Sequence, residues 1–237
     1  MAKHKKIMQK VLIILSLVLF LTACGKKDAE KDTKNTEQTD QIVSEDDAKK
    51  DDGSLEEQAE PQQGGSVIVG ITQELDSLDP YLAAAAGTKE VIYNFFDGLV
   101  KLMPDGTFEP ALAESFNFSD DATEFTFKIR TGVKFHNDTE LTIDDVVYSL
   151  QRAAGMLPDS KAALIPQLAI IESVSGDAEA GTVTVKLKES DADFITYMTL
   201  AIIPQDYTEQ AQKPIGTGPF IFTEYKTQQH LKMKRNA

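Results

Sequence analysis

Hydrophobic and polar positions alternate with period two in several stretches of this chain. Phe125, Phe127 and Ile129 alternate with Glu124, Thr126, Lys128 and Arg130, the pattern of a strand with one buried face. Val183, Val185 and Leu187 alternate in the same way with Thr184, Lys186 and Lys188. With residues 170–174 before them and 176–181 as the turn, they predict a β-hairpin. Asp105-Gly106 after Pro104 predicts a second hairpin, joining residues 99–102 to 107–110. Residues 66–71, next to Gly64-Gly65, carry the alternation of a first strand.

Elsewhere the period lengthens to that of a helix. Val91, Ile92, Phe95, Phe96 and Leu99 predict one helix, closing at Asp97-Gly98-Leu99. Thr142 with Asp145 three positions on is a capping-box pattern, and Asp144 and Asp145 suit the positive end of a helix. Val146, Val147 and Leu150 give this second helix an apolar face, and Gly155 and Pro158 break it. Residues 194–200 predict a short amphipathic helix. Gly216-Thr217-Gly218 lacks the further glycine and the Lys-Ser/Thr of a phosphate loop, so it reads as a backbone-permissive turn before a strand with Phe220 and Phe222. The elements add up to a mixed α/β (α+β) fold.

The N-terminus reads as an address. Lys3, Lys5, Lys6 and Lys10 precede an apolar run over residues 11–21, interrupted by Ser16. That run is shorter than the roughly 20 residues a spanning helix needs. It ends in Leu21-Thr22-Ala23-Cys24, which resembles a bacterial lipobox. Residues 1–23 are thus expected to be a lipoprotein signal peptide, with Cys24 carrying a diacylglycerol thioether that anchors the mature protein in a membrane. The alternative is an uncleaved signal anchor with an incidental cysteine. Residues 25–63 hold 13 acidic and 6 basic residues, no aromatic one, and only Ile42, Val43 and Leu55 as large aliphatics. Such a segment buries too little apolar surface to offset its chain entropy, so residues 24–63 are expected to form a lipidated cysteine plus a disordered acidic linker. A flexible coil of that length spans about 35 Å. It would let a tethered domain range away from the membrane, or serve only as a solubilising spacer.

Composition narrows the chemistry. The formal charge of -14 disfavours nucleic-acid binding. The one cysteine excludes an internal disulfide and a Cys-based zinc site. Neither a G-x-S-x-G elbow, an H-E-x-x-H pair nor a P-loop occurs, so no catalytic residue, metal site or cofactor is assigned. His136 has no histidine cluster around it in sequence and is expected to be a structural turn residue. Asp120-Asp121 and Asp144-Asp145 are explained by solvated turns and caps.

The wording of residues 111–152 adds a resemblance. Ala111-Leu112-Ala113-Glu114-Ser115-Phe116, the strand Phe125-Thr126-Phe127-Lys128-Ile129-Arg130, and Gly132-Val133-Lys134-Phe135-His136 leading into Leu141-Thr142-Ile143-Asp144-Asp145-Val146 resemble the family 5 extracytoplasmic solute-binding proteins. These serve ATP-driven importers of oligopeptides, dipeptides, nickel and related solutes. Ser77-Leu78-Asp79-Pro80, Asp97-Gly98-Leu99, Ile202-Ile203-Pro204 and Gly216-Thr217-Gly218-Pro219-Phe220 are similar to further family motifs. Two positions depart from the pattern: Asn137-Asp138 replaces Asp-Gly in a turn, and Glu140 replaces a proline. Asn and Asp tolerate the left-handed conformation, so the turn can survive.

The resemblance implies that residues 64–237 are the N-terminal portion of a solute-binding domain. They would be part of the first lobe of a two-lobed, type II periplasmic-binding-protein-like fold, with the second lobe absent from this sequence. It implies that Ala84, Ala85, Ala86 and Gly87 line the ligand cleft; on propensity alone, the alanines equally extend the following helix. Thr217 is a further candidate ligand contact, and residues 156–166 occupy a place that approaches ligand in the family. The implied function is a monomeric, membrane-anchored binding subunit on the extracytoplasmic face, of Gram-positive type, that delivers peptides to ABC permease subunits. A binder of a non-peptide solute such as nickel, and a truncated surface lipoprotein for adhesion or signalling, remain as alternatives. The chain is either a fragment or a truncated product. In the second case half of the cleft wall is missing and weak or absent ligand capture is expected.

Overall fold

A computed structural model describes residues 64–236, all within the unit Gly64–Ala237. The segments expected to be a signal peptide and an acidic linker, with Cys24, lie outside the described residues.

The centre is a four-stranded antiparallel sheet in the order β3 (Ala113–Phe118), β4 (Glu124–Ile129), β6 (Thr182–Leu187), β5 (Ile171–Asp177). Its register explains the sequence alternation. Phe127 stands opposite Phe116 on one side and Val183 on the other, while Phe125 stands opposite Phe118 and Val185. Val174 continues the row opposite Val185. The other face carries Thr126 opposite Thr184, with Glu124 opposite Lys186 in a 3.1 Å ion pair. Full burial of Phe125 and Phe127 contributes roughly 1.5–3 kcal/mol each. A one-residue slip would turn both rings to solvent.

Helix α2 (Ile143–Ala153) packs on β5 and β6. Its capping box forms as expected: the Thr142 N–H and hydroxyl donate to Asp145 Oδ2 at 2.9 and 2.6 Å, and the Asp145 N–H donates to Thr142 Oγ1. A Cβ on Gly176 would come within 2.4 Å of Ile143 Cγ2, so the glycine sets how closely α2 approaches β5. Asp138 has φ 67°, which confirms the left-handed turn expected at Asn137-Asp138. The β1 (Val100–Leu102) and β2 (Phe108–Pro110) hairpin also forms, as does a C-terminal hairpin of β7 (Phe220–Lys226) and β8 (His230–Arg235).

Three expectations change. Residues 66–71 form no strand among the described residues, and Val67 and Ile68 are 88% and 97% exposed. A strand exists only through its ladder, and no described strand pairs with this segment. Helix α1 spans only Ala86–Ile92, short of Phe95, Phe96 and Leu99. Beyond Ile92 the backbone is taken by tertiary partners: the Gly218 N–H donates to Phe95 O at 3.0 Å, the Phe220 N–H to Asn94 O, and the Leu99 N–H to Met198 O. The apolar side chains still face the core, but on a turn. Finally, the helix expected at 194–200 is a 3-10 helix, Phe194–Thr199.

Candidate functional site

Helix α2 holds two distant segments on one face. Asp145, Ser149 and Arg152 lie at helical spacing; the first two bind the segment 203–205 and the third binds Asp79. Asp145 Oδ1 accepts from the Gln205 N–H at 2.9 Å. The buried Ser149 hydroxyl donates to Ile203 O and accepts from the Ile203 N–H, at 3.1 and 2.9 Å. Arg152 donates through both terminal nitrogens to Asp79, Nη1 to Oδ1 at 3.1 Å and Nη2 to Oδ2 at 2.6 Å. The Arg152 guanidinium also stands 5.0 Å from the centroid of the Tyr81 ring. Burial pushes the Tyr81 phenol up, so it stays a neutral donor, and it hydrogen-bonds Ala201 O.

Tyr81 and Ala201, joined by that hydrogen bond, both line a cavity of about 430 Å³. Four segments converge there: Pro80, Tyr81 and Ala83; Lys89, Ile92, Tyr93 and Phe96; residues 164–167; and Thr196 with residues around it up to Ala201. The floor is apolar and buried, with Ile92, Phe96 and Leu200. The rim is exposed and mixed, with Lys89, Tyr93, Leu164 and Gln167. A larger hollow, about 600 Å³, is lined only by Arg152 and the single loop 157–164. Convergence of separate elements on an apolar floor with a few polar groups is the usual build of a ligand site, which favours the smaller cavity.

Of the residues expected to line the cleft, Ala84, Ala85, Ala86 and Gly87 sit beside this cavity without lining it; Ala83 and Lys89 on either side of them do. The N–H groups of Ala84 and Ala85 donate to Asp76 Oδ2 at 2.8 and 2.9 Å. Ala86 and Gly87 form the first turn of α1, so the alanine run is half loop and half helix. Hydrogen bonds from the Thr88 hydroxyl first, then from the Ala85 and Ala84 N–H groups, hold the Asp76 carboxyl down at about 2. Leu164, Ile165 and Pro166 do reach the cavity, from the segment expected to approach ligand. The sequence reading missed Tyr81, Tyr93 and Tyr197. For Tyr93 a signal existed: it lies four positions after Lys89, one helical turn along the same face.

Thr217 lies elsewhere and has a structural partner: its hydroxyl donates to Asp97 Oδ2 at 2.9 Å. The glycines beside it serve close approach, and neither has a positive φ, which corrects the backbone-permissive reading. A Cβ on Gly216 would lie 2.2 Å from Phe95 O, and one on Gly218 2.6 Å from the Phe95 carbonyl carbon. His136 fastens the same segment. Its N–H donates to Gly216 O, the Gly216 N–H donates to Nδ1 at 3.4 Å, and Nε2 therefore carries the proton donated to Gly218 O at 2.9 Å. Among the described residues no group of three His, Cys, Asp or Glu could hold a metal, and no helix is long and apolar enough to cross a membrane.

Comparison with known proteins places these features in context. Residues 107–237 match the family model described as "Bacterial extracellular solute-binding proteins, family 5 Middle". The oligopeptide-binding protein AppA of Bacillus subtilis (strain 168) is 30% identical over 255 aligned residues, which take in 100% of this chain and 42% of AppA. Heme-binding protein A of Haemophilus influenzae is 35% identical over 153 residues, 52% of this chain and 27% of that protein. The structure of Bacillus subtilis AppA in complex with a nonapeptide superposes with a TM-score of 0.63 at 28% identity, covering 74% of this chain and 37% of AppA. Helicobacter pylori DppA in complex with the peptide STSA gives 0.62 at 26% identity, covering 69% of this chain and 37% of DppA. The chain thus spans between 27% and 42% of the length of these relatives.

Proposed function

The chain belongs to the bacterial extracellular solute-binding proteins of family 5, and we propose that it supplies one wall of a cleft that captures oligopeptides or dipeptides for an ABC importer. The likeness to AppA carries this reading, because it runs through the whole chain where the likeness to heme-binding protein A takes in about half. The cavity supports it physically. An apolar floor with hydroxyl and amide groups at the rim suits a flexible ligand with both apolar side chains and a hydrogen-bonding backbone. The protein's part is to bind and release by lobe closure, without catalysis.

In this reading Ala84, Ala85, Ala86 and Gly87 form the edge of the cleft, while Thr217 supports the wall through Asp97. Residues 1–23 are the signal peptide, Cys24 carries the lipid anchor, residues 24–63 are the linker, and residues 64–237 are part of the solute-binding domain. The protein works as a monomer on the extracytoplasmic face with ABC permease subunits. A non-peptide solute is the second reading, favoured by the 35% identity to heme-binding protein A. Calorimetric titration of the full-length protein with a library of short peptides, with haem and with chelated nickel as comparators, separates the two. Saturable binding of peptides alone is expected. Binding of haem or nickel with no response to any peptide would overturn the peptide reading.

A further inference from the structure

Sixteen residues line the cavity, and Lys89 is the one among them that carries a charge at neutral pH. This runs against the composition, since residues 64–237 have a net charge of -11. Among the described residues the Lys89 ammonium has no ion-pair partner, although seven such pairs occur elsewhere in the domain. The Tyr93 N–H donates to Lys89 O at 3.0 Å, so the two residues are stacked one turn apart and share the rim. Tyr93 is 63% exposed, and Thr196 and Tyr197 line the same cavity.

An ammonium without an ion-pair partner, in a cavity that Tyr93 and Tyr197 also line, sorts ligands by charge. It repels an ammonium group and a bare metal cation, and it attracts an anion. One lysine matches a singly charged carboxylate better than a phosphate dianion, which usually draws several donors. From these observations, and resting on the reading of this cavity as the ligand cleft, we infer that the wall selects the acid end of its ligand. A carboxylate meets Lys89, and the adjoining aromatic or branched aliphatic side chain lies on Tyr93 and Tyr197. The acid has two possible sources in a peptide, the C-terminus or a Glu or Asp side chain.

Amide spectra of the isotope-labelled full-length protein, titrated with three tripeptides, test this. The peptides are Ala-Ala-Phe as the free acid, Ala-Ala-Phe as the C-terminal amide, and Ala-Glu-Phe as the amide. The free acid is expected to shift the amides of Lys89, Tyr93, Thr196 and Tyr197 and to bind about fivefold tighter than its amide. Lys89→Met is expected to erase that difference while leaving the rest of the spectrum in place. If Ala-Glu-Phe amide binds like the free acid, a side-chain carboxylate is accepted; if it binds like the amide, the wall reads the C-terminus. Equal affinity of acid and amide at this wall would overturn the carboxylate preference and leave the cleft reading standing. Shifts absent from the wall would overturn both.

Discussion

Arg152 grips Asp79 through both carboxylate oxygens, across 73 residues of chain, with side-chain exposures of only 19% and 6%. This bidentate pair joins helix α2 to the turn that precedes α1, and it places Tyr81 at the cavity wall. A fork-to-fork contact fixes direction as well as distance, which a lysine at the same position could not reproduce.

Arg152→Ala is expected to lower stability by about 3 kcal/mol, because it leaves the Asp79 carboxylate buried without its counter-charge. Asp79→Ala should cost less than Arg152→Ala, and the double variant less than the two singles combined. Urea unfolding of the four proteins measures the coupling. Strict additivity would mean that the pair does not hold the turn.

Gly218→Ala is expected to destabilise by about 1–3 kcal/mol, since the new methyl meets backbone atoms of Phe95 and Phe96 at 2.6 Å. Gly70→Ala is the control: no atom lies within 4 Å of its Cβ and its φ is not positive. It should stay within about 0.5 kcal/mol of the parent. Equal effects in thermal melts would remove the close-approach argument.

His136 is expected to give the fold a pH dependence near neutrality. Burial pushes its pKa below the ordinary 6.5, against the opposing pull of the Gly218 carbonyl and Asp97. The folded state therefore binds fewer protons than the unfolded one, and stability present above pH 6.5 is lost as pH falls through that value toward the folded pKa. Protonation also sets an Nδ1–H against the Gly216 N–H. Asp76 and Glu224 are held near 2 and leave this window clear. Melting temperatures between pH 7 and pH 5 should fall in the parent protein and stay flatter in His136→Gln.

Local patterns were legible in the sequence and long-range ones were not. The alternation at Phe125, Phe127 and Ile129, the Thr142–Asp145 capping box and the Asp105-Gly106 turn each depend on a few neighbouring residues. Residues 66–71 carry the same kind of alternation, but a strand also needs an edge to pair with, which periodicity does not report. Helix α1 ends early because Gly218 and Phe220 claim the carbonyls of Phe95 and Asn94. The site follows the same rule. Motif resemblance led to Ala84 and Gly87, beside the cavity, whereas Tyr81 and Tyr197 meet only through folding. Ser149 and Arg152 fall within the stretch 111–152 that carries the resemblance, but their partners Ile203 and Asp79 lie 54 and 73 residues away and are brought to them only by folding.

If the cavity between α1 and residues 196–201 is the ligand-facing wall, a bound peptide must touch its lining. Photo-crosslinking with a short peptide that carries a photoreactive leucine, followed by peptide mapping, reads that contact. Adducts within residues 80–96, 164–167 and 196–201 are the predicted result. Adducts confined to the β7–β8 hairpin, or to the Thr126 and Thr184 face of the sheet, would contradict it.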